Sequence, residues 1–165
     1  MMKFEDIARR CARDADSFDE RYLYTIGRWH KSLGRLQTFI CDTEDASCSI
    51  TESDVACDMA YHLRDIAIGA SIMLIKLGVR SPATAFIDEY AKASTKHPGM
   101  TLDSDKHANE SRFYALAEEV GEVCAALTYD NAKDTGHNAD LISEVVQVGG
   151  LALAWLSRYQ GGEES

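Results

Sequence analysis

The stretch RFYALAEEVGEV, residues 112–123, decides how this chain folds. Its apolar residues recur every three or four positions, so on a helix turning about 100° per residue they form one broad stripe. Glu118 points away from that stripe, whereas Glu119 and Glu122 lie three residues apart near its edge and can present oxygens to one ion. The stretch therefore predicts an amphipathic helix with acids along the border of its packed face.

The same periodicity extends to both sides of this stretch, and no strand-like alternation is long enough to build a sheet. The sequence predicts an all-α bundle of about six helices. The predicted helices run from Phe4 to about Asp14, from after Ser17 to Ile40, from Thr51 to Gly78, from Pro82 to about Ser94, from Asp105 to Thr128 and from Ala139 to Tyr159. Polar loops are expected at 42–49 and 131–136, and a frayed tail at 161–165.

Local signals support several of these helix ends. Thr51 followed by Asp54 resembles a capping box, in which a hydroxyl accepts a hydrogen bond from a backbone N–H of the first turn. Gly78 can close that helix in the left-handed conformation. Ser81-Pro82 is typical of an N-cap followed by proline at the first helical position.

Charge and composition exclude several classes of function. The 165-residue chain has 27 acidic and 17 basic residues and a formal net charge of −10, which repels a nucleic-acid polymer. The five cysteines are odd in number and irregularly spaced, which favours reduced thiols in the cytoplasm. The acidic start is unlike a signal peptide, and no apolar run is long enough to span a membrane. We expect a cytoplasmic protein of one compact domain.

The last predicted helix sharpens the interpretation of the acids. Its apolar arc is very wide, which predicts packing on most of its circumference, and Glu144 projects inside the margin of that arc. An ionised carboxylate there is costly unless a cation or a strong donor meets it. Antiparallel pairing across the short 130–138 connection would bring Glu119 and Glu122 toward Glu144, making a hard-oxygen site for Mg²⁺ or Mn²⁺. Without Glu144, the acids would be read as a solvated helix face.

These acids also carry a resemblance to a known family. The segment EEVGE at 118–122, followed by EVVQ at 144–147, resembles the MazG-like pattern of Glu-Glu-x-x-Glu and then Glu-x-x-Asp. The resemblance extends from about His107 to Tyr159. The chain departs from the pattern at Gln147, where the family usually has aspartate; an amide oxygen can coordinate a cation but carries no charge.

The resemblance implies a Mg²⁺-dependent hydrolase that cleaves a nucleoside triphosphate to a monophosphate and pyrophosphate. It implies that Glu119, Glu122 and Glu144 are metal ligands, with Gln147 in the fourth position. Glu118 matches the first acid of the motif, so the catalytic acids would be Glu118, orienting water, and Glu119. It also implies a homodimer or homotetramer.

Basic residues near these helices are the candidates for holding the triphosphate. Lys106 and Arg112 lie at the start of the fifth predicted helix, and Arg158 lies on the polar side of the sixth. Each of them is also an ordinary type of surface charge. We predict that these three side chains bind the substrate.

Residues 1–96 are interpreted as an N-terminal helical segment, and residues 97–160 as the MazG-like catalytic helices. Residues 30–36 loosely parallel 117–123, and residues 62–66 parallel 141–145, so the first segment resembles a degenerate repeat packed on the same core. Two other functions remain open. One is a catalytically inactive binding or oligomerisation module, and the other is a pyrophosphohydrolase acting on an alarmone or a phosphoribosyl nucleotide.

Overall fold

The computed structural model describes residues 3–15, 21–44, 51–128 and 140–160, which contain six α-helices and no strand. The helices are α1 (Phe4–Ala15), α2 (Tyr22–Glu44), α3 (Glu52–Lys76), α4 (Pro82–Lys96), α5 (Asn109–Ala126) and α6 (Leu141–Leu156). The predicted all-α class is confirmed. The predicted Ser17 cap, the 131–136 loop and the tail lie outside the described residues. None of the described helices is long and apolar enough to cross a membrane.

The ends of α3 follow the local sequence. The Thr51 hydroxyl accepts a hydrogen bond from the Asp54 N–H at 3.2 Å, as the capping-box pattern predicts. Gly78 has a φ of +85° directly after the helix, a conformation that costs glycine little. Pro82 is the first residue of α4, again as predicted, although the Ser81 side chain makes no capping hydrogen bond there.

Helix α6 lies at the centre of the bundle. It packs against α3, α4 and α5, and it is buried almost continuously from Val145 to Leu156. The lack of a side chain at Gly149 lets α4 pack closely on α6, because a Cβ at this position would overlap the ring of Phe86. A single apolar cluster includes residues from all six helices and Leu102 from the loop before α5. Burial of these apolar surfaces is the main force that holds the helices together.

Helix α5 begins at Asn109, four residues later than predicted. The reason is Arg112, whose guanidinium donates to the carbonyl oxygens of Leu102 and Ser104, both at 2.7 Å. These bonds hold the preceding segment as a loop against the bundle, and Leu102 is buried beneath it. A loop that carries its own tertiary contacts overrides the helical preference of its sequence.

The proposed repeat aligns positions of α2 and α3 with the acids of α5 and α6, and the α2–α3 positions form polar contacts. Asp65 aligns with Glu144, and Ser32 aligns with Glu119. The Ser32 hydroxyl donates to the Asp65 carboxylate at 3.1 Å, and Arg28 forms an ion pair with the same carboxylate. The aligned positions therefore meet in both helix pairs, but in α2–α3 an arginine neutralises the remaining acid. The repeat itself stays a prediction.

Candidate metal centre

Three carboxylates from α5 and α6 meet at one point of the bundle surface. Each of Glu119, Glu122 and Glu144 offers one oxygen, and these oxygens all lie within 4.8 Å of one another. Glu144 is buried, with 8% of its surface exposed, Glu119 is half-buried and Glu122 is exposed. The group therefore runs from the protein interior to solvent, which leaves one side open to a ligand.

Local sequence places each acid of this group. The apolar residues Leu116, Val120 and Val123 are buried where α5 packs, which puts Glu119 and Glu122 at the border of the contact with α6. Glu144 lies in the first turn of α6, where unpaired backbone N–H groups favour a negative charge. The convergence of the three acids predicted from the sequence is present in the structure.

The three acids repel one another and are poorly solvated. Burial, with the charges of Glu122 and Glu144 next in importance, raises the pKa of Glu119 to about 7. Burial and a hydrogen bond with Glu122 raise the pKa of Glu144 to about 6. The Oε2 atom of Glu119 is buried and has no hydrogen-bond partner among the described residues. Near neutral pH, Glu119 and Glu144 therefore still bind protons in part, and a divalent cation would have to displace these protons.

The amide group of Gln147 forms a hydrogen bond with a neighbouring acid. Its Nε2 atom donates to Glu144 Oε2 at 3.0 Å, so the amide supports the carboxylate directly. Only its carbonyl oxygen remains for a cation, and this is the role that the MazG-like resemblance implies for Gln147. An aspartate would instead bring another negative charge to Glu144. Glu118, the other predicted catalytic residue, is exposed on α5 beside Glu119, and its charge helps raise the Glu119 pKa.

The structure does not bring the predicted phosphate-binding residues to the acids. Arg112 is 3% exposed and is committed to the loop carbonyls described above. Arg158 donates to the Asp103 carbonyl oxygen at 2.9 Å and pairs with Asp105 at 2.7 Å. Lys106 is exposed on the same loop. The two arginines therefore hold the 102–105 loop in place, a role that their position near helix ends did not reveal.

A cavity of about 460 Å³ adjoins the acids, and one of its walls was not predicted. Glu119 and Gln147 line it from α5 and α6, and α4 contributes a further set of lining residues. The α4 residues are Glu89, Tyr90, Lys92, Ala93 and Lys96, followed by His97. Their helical spacing predicts a shared face, but only the packing of α4 on α6 turns that face toward the acids.

Glu89 is a fourth acid close to the carboxylate group. Its charge helps raise the pKa of Glu119, and its Cγ lies beside Gly150, 3.9 Å from where a Cβ would stand. Its side chain is only partly exposed, and Lys92 lies 3.5 Å away from its carboxylate. Glu89 thus adds negative charge at the edge of the site from a helix outside the sequence motif.

Hard carboxylate oxygens, a buried oxygen without a donor and an open side together fit a small divalent cation such as Mg²⁺ or Mn²⁺. The adjoining cavity could place a second ligand next to such a cation. Compared with known protein families, curated proteins and solved structures, the chain matches none.

Proposed function

We propose that this protein is a Mg²⁺-dependent nucleoside triphosphate pyrophosphohydrolase with a MazG-like helical architecture. The observation that carries the proposal is the meeting of Glu119, Glu122 and Glu144 at the edge of a cavity large enough for a nucleotide. The order and spacing of these acids are those on which the family resemblance rests. Mn²⁺ is expected to substitute for Mg²⁺, because both prefer oxygen ligands.

Each residue of the site would have a distinct role in the reaction. Glu119, Glu122 and Glu144 would hold the cation, with the Gln147 carbonyl oxygen as a fourth, uncharged ligand. A bound Mg²⁺ supplies charge neutralisation for the phosphates and lowers the pKa of a coordinated water. Glu118, exposed beside the group, would orient the attacking water. Positioning and charge stabilisation are the main needs of phosphoryl chemistry, so the site requires no covalent nucleophile.

The test is a screen for pyrophosphate release from all common ribo- and deoxyribonucleoside triphosphates, with Mg²⁺ and with Mn²⁺. An alarmone and a phosphoribosyl nucleotide belong in the same screen, because either would use the same metal chemistry. Glu119→Ala and Glu122→Ala should abolish turnover while circular dichroism shows unchanged helical content. Glu110→Ala is the matched control, since Glu110 is an exposed acid in the first turn of the same helix.

Two outcomes would contradict the proposal. Unchanged turnover in both active-site variants would refute the site. Absence of turnover with every substrate, together with no metal-linked binding of a non-hydrolysable nucleotide in calorimetry, would favour the inactive binding module instead.

We also expect a homodimer or homotetramer. Several large apolar side chains on α2, α3 and α5 are exposed in the single chain, which supports a further interface. They are Leu23, Tyr24, Tyr61 and Tyr114. Light scattering at micromolar concentration measures the assembly directly, and a monomer at that concentration would contradict this expectation.

A further inference from the structure

The cavity beside the acids has a cationic wall, which is unusual in a chain with a net charge of −10. Lys92, Lys96 and His97 line it from the C-terminal half and end of α4, and Glu119 lines the same cavity from α5. Lys96 forms no hydrogen bond or ion pair with the described part of the chain, and Lys92 has only the long 3.5 Å contact with Glu89. Both ammonium groups are therefore available to a ligand.

The two lysines follow Glu89 along one face of α4. Glu89, Lys92 and Lys96 lie on one face of α4, so the rise from Glu89 is about 4.5 Å to Lys92 and about 10 Å to Lys96. Glu89 lines the cavity together with Glu119, and its Cγ lies beside Gly150 of α6. The spacing places the two lysines about one and two helical turns from Glu89, a span comparable with the length of an extended triphosphate.

The rest of the cavity is mostly apolar. The apolar and aromatic residues that line it include Tyr90, Met100, Leu102, Leu151 and Ala154. Apolar and aromatic side chains of this kind accept the flat face of a nucleobase. The cavity thus joins a carboxylate end, a cationic wall and an apolar surface.

We infer that Lys92 and Lys96 bind the phosphate chain of a nucleotide whose base lies on this apolar surface, with Glu119 at the metal end. The inference rests on the proposed function for its substrate class and assigns recognition to α4 rather than to Lys106, Arg112 and Arg158. Lysine suits the role because its ammonium acts as a point charge on a flexible stem and can follow a phosphate chain.

Binding of Mg²⁺–tripolyphosphate and of a non-hydrolysable nucleoside triphosphate analogue, measured by calorimetry, tests the inference. The double variant Lys92→Ala/Lys96→Ala should bind both probes about 100-fold more weakly, since each lost charge-assisted hydrogen bond weakens binding roughly 10-fold. Lys92→Arg/Lys96→Arg should restore most of the affinity. The matched control is Lys31→Ala/Arg35→Ala. It removes two cations from the exposed side of α2 that are four residues apart, and this variant should bind normally.

Mn²⁺ binding without nucleotide, followed by electron paramagnetic resonance, should be unchanged in the lysine variant. Unchanged affinity of the Lys92→Ala/Lys96→Ala variant for both probes would overturn the inference, as would an equal loss in the α2 control or a loss of Mn²⁺ binding alone. Failure of the proposed function has a different outcome. The wild type would then bind tripolyphosphate through these lysines but release no pyrophosphate from any substrate in the screen.

Discussion

Replacing Glu119 by glutamine should stabilise the metal-free protein above neutral pH while removing its response to Mg²⁺. Glutamine keeps the shape of the side chain and removes the charge that Glu122 and Glu144 repel. In the folded protein the pKa of Glu119 is raised to about 7 from an ordinary value of 4.5. Fully transmitted, this difference costs the ionised form about 3 kcal/mol. Because the side chain is only half-buried, solvent screening reduces our expectation to about 1–2 kcal/mol.

The sign of the pH dependence follows from the raised pKa. A carboxyl group whose pKa is higher in the folded state contributes stability at low pH and loses it as the pH rises through the folded value. For Glu119 this contribution is complete below about 4.5 and is lost by about pH 7 to 8. The wild type and the Glu119→Gln variant should therefore have similar free energies of unfolding near pH 4.5 and diverge at pH 8.

Urea unfolding in the presence of EDTA, followed by circular dichroism at both pH values, measures this difference. Glu118→Gln removes the same charge one residue away on the exposed side of α5 and serves as the control. Addition of Mg²⁺ at pH 8 should stabilise the wild type and the control, because a ligand that binds only the folded state raises its stability. A Glu119→Gln variant that is no more stable than wild type at pH 8, or a control that gains as much, would refute the reasoning.

Three further predictions concern the site and its support. The affinity for Mn²⁺, measured by calorimetry, should rise between pH 5.5 and pH 8 as protons leave the two carboxyl groups with raised pKa, and a constant affinity would contradict the assignment. Gly149→Ala should lower the free energy of unfolding in urea by about 1–3 kcal/mol, because its Cβ would overlap Phe86. Gly121→Ala meets nothing within 4 Å and should instead raise it by about 0.5–1 kcal/mol; similar values for the two variants would be inconsistent with the packing. Gln147→Asp should destabilise the metal-free protein at pH 8 and tighten Mn²⁺ binding, since it replaces a donor to Glu144 by a negative charge. Unchanged stability and unchanged Mn²⁺ affinity would contradict that role.

Local signals were sufficient to predict much of the fold. The Thr51 cap, the Gly78 terminus and the proline that begins α4 depend on neighbours within a few residues, and the structure shows all three. The meeting of the three acids was also predictable. Helical periodicity relates Glu119 to Glu122, and antiparallel packing of the last two helices brings in Glu144.

The cationic side of the site was not predictable, because it depends on contacts between distant segments. Helix α4 faces the acids only because Phe86 packs where Gly149 leaves room on α6. Arg112 and Arg158 satisfy backbone carbonyls of the 102–105 loop, and carbonyl groups are present at every residue, so composition does not distinguish them as partners. Proximity in sequence to the acids favours Lys106, Arg112 and Arg158 as ligand-binding residues. The cavity that Glu119 lines contains Lys92 and Lys96 instead.

The location of Glu144 explains how the most buried helix can carry a carboxylate. Most of α6 after Glu144 is buried, so a carboxylate in place of Val148 or Ala152 would be enclosed in the apolar core. In the first turn, the helix dipole and the unpaired N–H groups favour the anion by about 0.3–1 kcal/mol, and the Gln147 amide adds a hydrogen bond. These contributions offset only part of the cost of burial and of the neighbouring Glu122, since the pKa of Glu144 is still raised to about 6. A cation bound by the three acids would relieve the remaining cost, so its binding should also strengthen the contact between α5 and α6.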